Sequence, residues 1–239
     1  MKRLLDIILT FIFPDTCIVC RKATRKADYV CKKCEHKIDY ISPVFKCRTC
    51  LFPIPPGCTS QCGICLKEKP HYSRLVSCVK YKGAIKGSLQ LYKFHERSDL
   101  HIGFSKLACK TLERSDVFFD AVVCVPISKK TLSERGYNQS ALIAKKIAEY
   151  FDVPFYDDLL IKVKETQKQS ELKLKERAKN IKGAFGVNNP ERINETCVLL
   201  VDDIFTTGAT MREAANTISD FADDIIAFTV ARGYLEDFE

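Results

Sequence analysis

No apolar run in this 239-residue chain is long enough to cross a bilayer. The stretch that most invites that reading, Leu4 to Phe13, is short and broken by Asp6. Lys2-Arg3 before it and Cys17 after it give the outline of an export signal, yet Pro14-Asp15-Thr16 lacks the small residues that a cleavage site needs. Leu4, Leu5, Ile8, Leu9 and Ile12 instead share one helical face, so an amphipathic helix packing on the protein or a partner is expected there. These absences exclude a transmembrane protein and argue for a cytoplasmic location, the inner face of the membrane included. An excess of one charge is also missing from most of the chain. Residues 81–239 carry 23 bases and 24 acids, whereas residues 1–80 carry 15 bases and 6 acids.

Cysteine divides the chain at the same place. Ten of the thirteen cysteines lie within residues 1–80. Eight form four C-x-x-C pairs: Cys17/Cys20, Cys31/Cys34, Cys47/Cys50 and Cys62/Cys65. A C-x-x-C turn aims two thiolates at one tetrahedral Zn²⁺, and a second pair ten to fifteen residues later completes the shell. The spacing predicts two Cys₄ zinc ribbons in tandem, over about 12–37 and 44–67, with Zn²⁺ supplying much of their folding energy. A disulfide framework is the rival, and the poor export signal disfavours it. Cys58 and His36 are spare residues near these shells. Two tetrathiolate zinc sites lower the formal charge of residues 1–80 from +9 to +5. That remaining charge suggests an acidic partner, with nucleic acid the first candidate. Cys78, Cys109, Cys124 and Cys197 lie in apolar or mixed surroundings and are expected as core residues.

From about residue 72, strand and helix patterns alternate. Strands are expected at Ser77–Tyr81, Ala121–Ile127, Leu159–Val163, Cys197–Val201 and Ile225–Ala231. Helices are expected at Ala84–Phe94, Phe104–Arg114, Asn138–Phe151 and Met211–Phe221. This alternation predicts an α/β domain over 71–239 with a mostly parallel sheet and flanking helices, after a ribbon module over 1–70. The most informative segment is CVLLVDDIFTTGAT, Cys197 to Thr210. An apolar strand is followed by two acids, a turn rich in hydroxyls and glycine, then a helix. Such a turn presents backbone N–H groups and a helix N-terminus to a phosphate. Paired acids beside it suit ribose hydroxyls and Mg²⁺.

This segment resembles the phosphoribosyl-pyrophosphate (PRPP) signature of type I phosphoribosyltransferases. By that resemblance, Asp202 and Asp203 hold the ribose hydroxyls, with Mg²⁺ accompanying PRPP. Thr206, Thr207, Gly208, Ala209 and Thr210 wrap the 5′-phosphate. Two further blocks extend the likeness. Val125 to Gln139, with E-R-G-Y-N-Q at its end, and Lys164-x-Thr166-x-x-Gln169 followed by Arg177-x-x-Asn180 and Gly183-Ala184-Phe185 resemble the ComF family of competence-associated, phosphoribosyltransferase-like proteins. The double ribbon fits the same family. Lys164 departs from the usual arginine, and Leu91–Asp99 keeps a Lys-Phe core without the glycine expected soon after it. Lys129, Lys130 and Arg135, on a loop after the Ala121–Ile127 strand, are placed for the pyrophosphate.

Two functions follow from the resemblance. One is a PRPP- or nucleotide-binding protein of natural transformation that handles single-stranded DNA, with a translocating helicase or another competence protein as a further partner. The other is an active transferase moving ribose 5-phosphate from PRPP to an acceptor, and such chemistry needs no nucleophile on the protein. The basic run Lys162–Lys182, eight bases against three acids, reads as a lid, a nucleic-acid track or a solvated face. Tyr92, Phe94, Tyr137 and Phe185 are candidate stacking surfaces for bases.

Overall fold

Two alternating sets of apolar side chains on each central strand decide the architecture. Val122, Cys124, Leu199, Val201, Ile226 and Phe228 face one way, while Val123, Val125, Val198, Leu200, Ile225 and Ala227 face the other. A sheet of this kind must be covered on both sides. The computed structural model describes residues 16–24, 28–42, 44–57, 60–94, 97–166 and 174–234. The amphipathic stretch Leu4–Ile12 and Cys58 lie outside these residues.

The described strands are β1 (Arg74–Lys80), β2 (Ala121–Cys124), β3 (Phe155–Tyr156), β4 (Leu160–Lys162), β5 (Phe185–Val187), β6 (Cys197–Phe205) and β7 (Asp224–Arg232). The described helices are α1 (Gly63–Glu68), α2 (Gly83–Phe94), α3 (Leu100–Glu113), α4 (Lys129–Arg135), α5 (Gln139–Phe151), α6 (Leu174–Ile181) and α7 (Ala209–Ile218). The main sheet has the order β1-β7-β6-β2-β3 with every pairing parallel. This is the predicted α/β architecture.

Each face carries one ribbon. Side chains of α2, α3 and α5 cover the first face together with Ile18, Tyr29 and Ile38. There Gly103 on α3 lets the first ribbon approach, for a Cβ at that position would lie 2.4 Å from Ile18 Cγ2. The second face is covered by α7, by Ile181 at the end of α6, and by the second ribbon with Cys47, Cys50, Leu51, Cys62 and Cys65.

Four expectations need correction. The strand expected over Leu159–Val163 is not part of the main sheet; β4 pairs antiparallel with β5 in a separate hairpin. Its three residues share no ladder with the central strands, and apolar content alone does not distinguish the two settings. The basic segment expected as a loop contains α4, begun by Ser128, whose Oγ accepts from the Thr131 amide at 3.1 Å, and ended by Gly136 in the left-handed region. β2 stops at Cys124 rather than Ile127, because Pro126 has no N–H for the ladder. β6, by contrast, runs four residues past Val201 to Phe205.

Candidate functional site

The unequal lengths of β2 and β6 open the site. Pairing between them ends at Cys124–Val201, with one more bond from the Val125 amide to the Val201 carbonyl at 2.9 Å. Beyond that point β6 pairs with β7 alone, through Phe205–Arg232. Asp202 and Asp203 therefore sit on a strand whose β2 side has lost its neighbour, at the carboxyl edge where ligands of parallel sheets bind. A cleft of about 310 Å³ occupies this edge. Asp202, Asp203, Thr206 and Thr210 line it, together with Lys93, Arg135, Gln139, Ser140, Lys162 and Arg177.

The two acids are held differently. Asp202 Oδ1 accepts from Ser140 Oγ at 2.9 Å and from the Asp203 amide at 2.8 Å. Burial first, and the charge of Asp203 second, lift the Asp202 carboxyl to about 7 against the opposing pull of Lys93 and these donors. Asp203 makes an ion pair with Lys93, Oδ2 to Nζ 2.8 Å. After Phe205 the chain turns sharply at Gly208, φ +81°, where any Cβ would lie 2.3 Å from the Phe205 ring. Thr206–Gly208 then lead into α7, so Thr210 stands in its first turn. Arg177 on α6 reaches this turn, donating from Nη1 to Thr206 Oγ1 at 3.0 Å.

The E-R-G-Y-N-Q block gives the facing wall its shape. Asn138 caps α5 by accepting from the Ser140 amide at 3.0 Å and ties back to the Val125 carbonyl through Nδ2 at 3.0 Å. The Tyr137 hydroxyl donates to the Tyr92 carbonyl, and the Tyr92 hydroxyl to the Gln139 carbonyl. Arg135 donates to Gln139 Oε1 at 3.1 Å and lies over the Phe94 ring. Among the described residues the buried Gln139 amide nitrogen has no hydrogen-bond partner, leaving a donor at the cleft wall. Lys129 and Lys130 are exposed in the first turn of α4 and are not among the cleft-lining residues.

Within the Lys162–Lys182 run, Lys162 and Arg177 turn into the cleft, whereas Lys164, Lys179 and Lys182 are exposed. Residues 167–173 lie outside the described set. Of the candidate stacking aromatics, Tyr92 and Phe185 are buried and Tyr137 packs against the core, while Phe94 is exposed beside the cleft. Cys78, Cys109 and Cys124 are buried as expected. Cys197 is only partly buried, but burial and the nearby Asp224 and Asp120 raise its thiol to about 11, so it is no thiolate.

Lys93, Ser140, Gln139 and Arg177 were missing from the site expected from the sequence. Lys93 belongs to the Lys-Phe core of Leu91–Asp99, and Arg177 opens the Arg-x-x-Asn block, so both carried a signal. Ser140 and Gln139 carried only their position after the asparagine cap.

The eight ribbon cysteines form two groups, Cys17/Cys20/Cys31/Cys34 and Cys47/Cys50/Cys62/Cys65, with all sulfurs of a group within 4.8 Å of one another. Cys20–Cys31 and Cys50–Cys62 sulfurs are 3.8 and 3.6 Å apart. A thiolate tetrahedron with ~2.3 Å zinc bonds has edges of ~3.8 Å, so both groups fit Zn²⁺. At Cys17 burial opposes ionisation, but amides of Cys20, Cys31 and Val19 outweigh it and hold the thiol at about 7. His36 is exposed and in neither group.

A parallel five-stranded sheet with helices on both faces, joined to two four-cysteine ribbons, defines an α/β protein with a double-ribbon module. No protein-family model matches the chain. It is homologous to Competence protein F of Haemophilus influenzae, 28% identical over 164 residues that span 66% of this chain and 72% of the relative. DNA utilization protein YhgH of Salmonella typhi is 28% identical over 208 residues, 84% of this chain and 83% of the relative. Competence protein ComFC of Bacillus subtilis is 30% identical over 163 residues, 65% of this chain and 63% of the relative. These names agree with the ComF resemblance of the sequence blocks. Solved structures similar to the chain include a glutamine PRPP amidotransferase from B. subtilis complexed with ADP and GMP, at TM-score 0.40 and 19% identity. That match covers 59% of this chain and 30% of the amidotransferase. Another is the adenine phosphoribosyl transferase from Trypanosoma brucei in complex with AMP, pyrophosphate and ribose-5-phosphate. It matches at TM-score 0.39 and 12% identity, covering 84% of this chain and 78% of that one. Among the described residues, no helix is long and apolar enough to cross a membrane.

Two expected outcomes follow from this geometry. Elemental analysis of folded, reduced protein should find two zinc ions per chain; a content near zero would reject the ribbons as metal sites. The second concerns Asp202, whose folded pKa of about 7 exceeds its ordinary 3.8. A raised pKa contributes stability that is complete below the unfolded value and lost as pH rises through 7. Urea unfolding should therefore show Asp202→Asn matching wild type near pH 4 and exceeding it in stability at pH 8. Parallel pH profiles for the two proteins would place Asp202 in an ordinary aqueous setting.

Proposed function

We propose that the cleft binds PRPP with Mg²⁺ and that the chain serves the competence and DNA-utilization role for which its relatives are named. One observation carries the ligand reading: two aspartates, Thr206 and Thr210 of the turn at a helix N-terminus, and the cations Lys93, Arg135, Lys162 and Arg177 all line one cleft. Asp202 and Asp203 supply the carboxylate oxygens that Mg²⁺ and ribose hydroxyls take, and Thr206–Thr210 offer N–H and hydroxyl donors to the 5′-phosphate. Arg135 and the unpartnered amide of Gln139 supply donors to the diphosphate from the opposite wall. Lys129 and Lys130 contribute to the field over that wall rather than to contact. Binding alone satisfies this reading; release of pyrophosphate with an acceptor would add the transferase activity.

Calorimetry with PRPP and Mg²⁺ tests the site. Asp203→Asn and Thr207→Val should each weaken PRPP by about thirty- to a hundredfold, equivalent to ~2–3 kcal/mol, with the fold retained. Arg135→Ala should weaken PRPP far more than ribose 5-phosphate, since only PRPP carries the diphosphate. Unchanged affinities in all three variants would put the ligand elsewhere.

The DNA reading is supported by a second cavity, of about 570 Å³, between the ribbons and the β1–α3 side of the sheet. Lys46, Arg48, Arg74, Lys110 and Arg114 line it with Tyr29 and Tyr40, and no carboxylate is among its lining residues. Such a wall favours phosphates, and the exposed Tyr40 offers base-stacking surface. Single-stranded DNA should bind with an affinity that falls as salt rises. The double variant Arg48→Ala/Arg114→Ala should reduce the log–log salt slope by about 1–2. Fluorescence anisotropy across a salt series checks this, and an absence of binding at low salt would remove the DNA reading.

A further inference from the structure

Arg232 ends β7, where an apolar strand would not be expected to bury a charge, yet it is 5% exposed. It donates to four main-chain carbonyls and also interacts with the Cys50 side chain. Nε donates to the Cys50 carbonyl at 2.9 Å, and Nη1 donates to the carbonyls of Thr206 at 2.7 Å, Phe205 at 3.3 Å, and Gly233. Aromatic rings cover the guanidinium: Phe205 and Tyr234, each with its centroid 4.8 Å away. Phe205 is the ring on which Gly208 rests. One side chain thus holds both the Cys47–Cys50 knuckle of the second ribbon and the turn that follows β6.

A second connection runs parallel to the first. Arg212, in the first turns of α7, donates from Nη2 to Cys65 Sγ at 3.6 Å and pairs with Glu68 Oε2 at 3.2 Å. The turn is therefore fastened to the second cysteine group on both of its sides, at Thr206 and just inside α7. The first group lies on the opposite face of the sheet, where Ile18 packs on Gly103.

We propose that the second ribbon and the Thr206–Thr210 turn are a single mechanical unit, with Arg232 as the positioning residue that joins them. Metal loss or thiol oxidation at Cys47/Cys50/Cys62/Cys65 loosens the turn, whereas the same damage at Cys17/Cys20/Cys31/Cys34 does not. Coupling between two sites is reciprocal, so a phosphate ligand held by the turn also protects the second cysteine group. The consequence for ligand affinity rests on the PRPP reading; the coupling between ribbon and turn does not.

Hydrogen exchange on the full chain, read in the peptide spanning residues 205–212, tests the proposal without any ligand. Cys62→Ser, which removes a ligand of the second group and leaves the Cys50 carbonyl in place, should accelerate exchange there about tenfold, a typical size for site coupling. Cys20→Ser in the first group should leave the peptide at the wild-type rate. Arg232→Lys keeps the charge but loses the fork, so it should produce the same acceleration with both metals retained. If Cys62→Ser fails to fold, Arg232→Lys decides alone. Wild-type exchange in Arg232→Lys, or equal acceleration by the two cysteine variants, would overturn the coupling. Calorimetry with ribose 5-phosphate separates the two readings. Failure to bind wild type, with the exchange result intact, would remove the phosphate assignment and leave the coupling standing.

Discussion

The site depends on a difference in length between two neighbouring strands. β2 must stop where Pro126 removes a donor, while β6 continues because β7 still pairs with it as far as Phe205–Arg232. Had both strands ended together, Asp202 and Asp203 would lie in a loop, free to solvate. Instead they are fixed on a half-paired strand and project beside a wall built by α4 and α5. That fixation explains the uneven treatment of the two acids, one lifted towards neutrality by burial and its neighbour, the other paired with Lys93. Burying like charges side by side costs stability, and proteins keep such arrangements where a ligand or ion relieves them.

The ribbons stand in an equally specific relation to this sheet. Each has too little apolar surface to form a core of its own, and each closes one face of the larger domain. The division into residues 1–70 and 71–239 describes composition well, but the packing joins the two parts. Tyr40 and Lys80 lie on the seam, where the Lys80 amide bonds the Asp39 carbonyl at 2.8 Å. The cationic cavity at that seam draws residues from both ribbons and from α3, so neither part could form it alone.

Much of this was legible in the sequence, for reasons that can be named. The central strands β6 and β7 are long apolar runs, and the C-x-x-C spacing fixes which cysteines converge. The Asp202–Thr210 segment combines a strand end, two acids and a glycine turn, and Asp202, Asp203, Thr206 and Thr210 do line one cleft. What escaped was set by partners distant in sequence. Ser140 meets Asp202 across 62 residues, and Arg232 meets Cys50 across 182. No local pattern reports such meetings. The basic segment after β2 reads as a loop from its charges, although Ser128 and Gly136 mark the two ends of a helix. The Leu159–Val163 strand reads as part of the main sheet, because so short a run does not show that its neighbour is β5.

The Lys93–Asp203 ion pair sets a condition on any ligand the cleft takes that neither residue sets alone. In the free protein the lysine serves as an internal counterion, so a ligand must replace one bond for another instead of filling an open place. A bare phosphate can attract the ammonium away, but it strands a nearly buried carboxylate with nothing to accept from. A sugar without phosphate can serve the carboxylate, but it leaves the lysine without an anion. Under the proposed reading, a molecule that presents hydroxyls and phosphate together serves both halves of the pair at once.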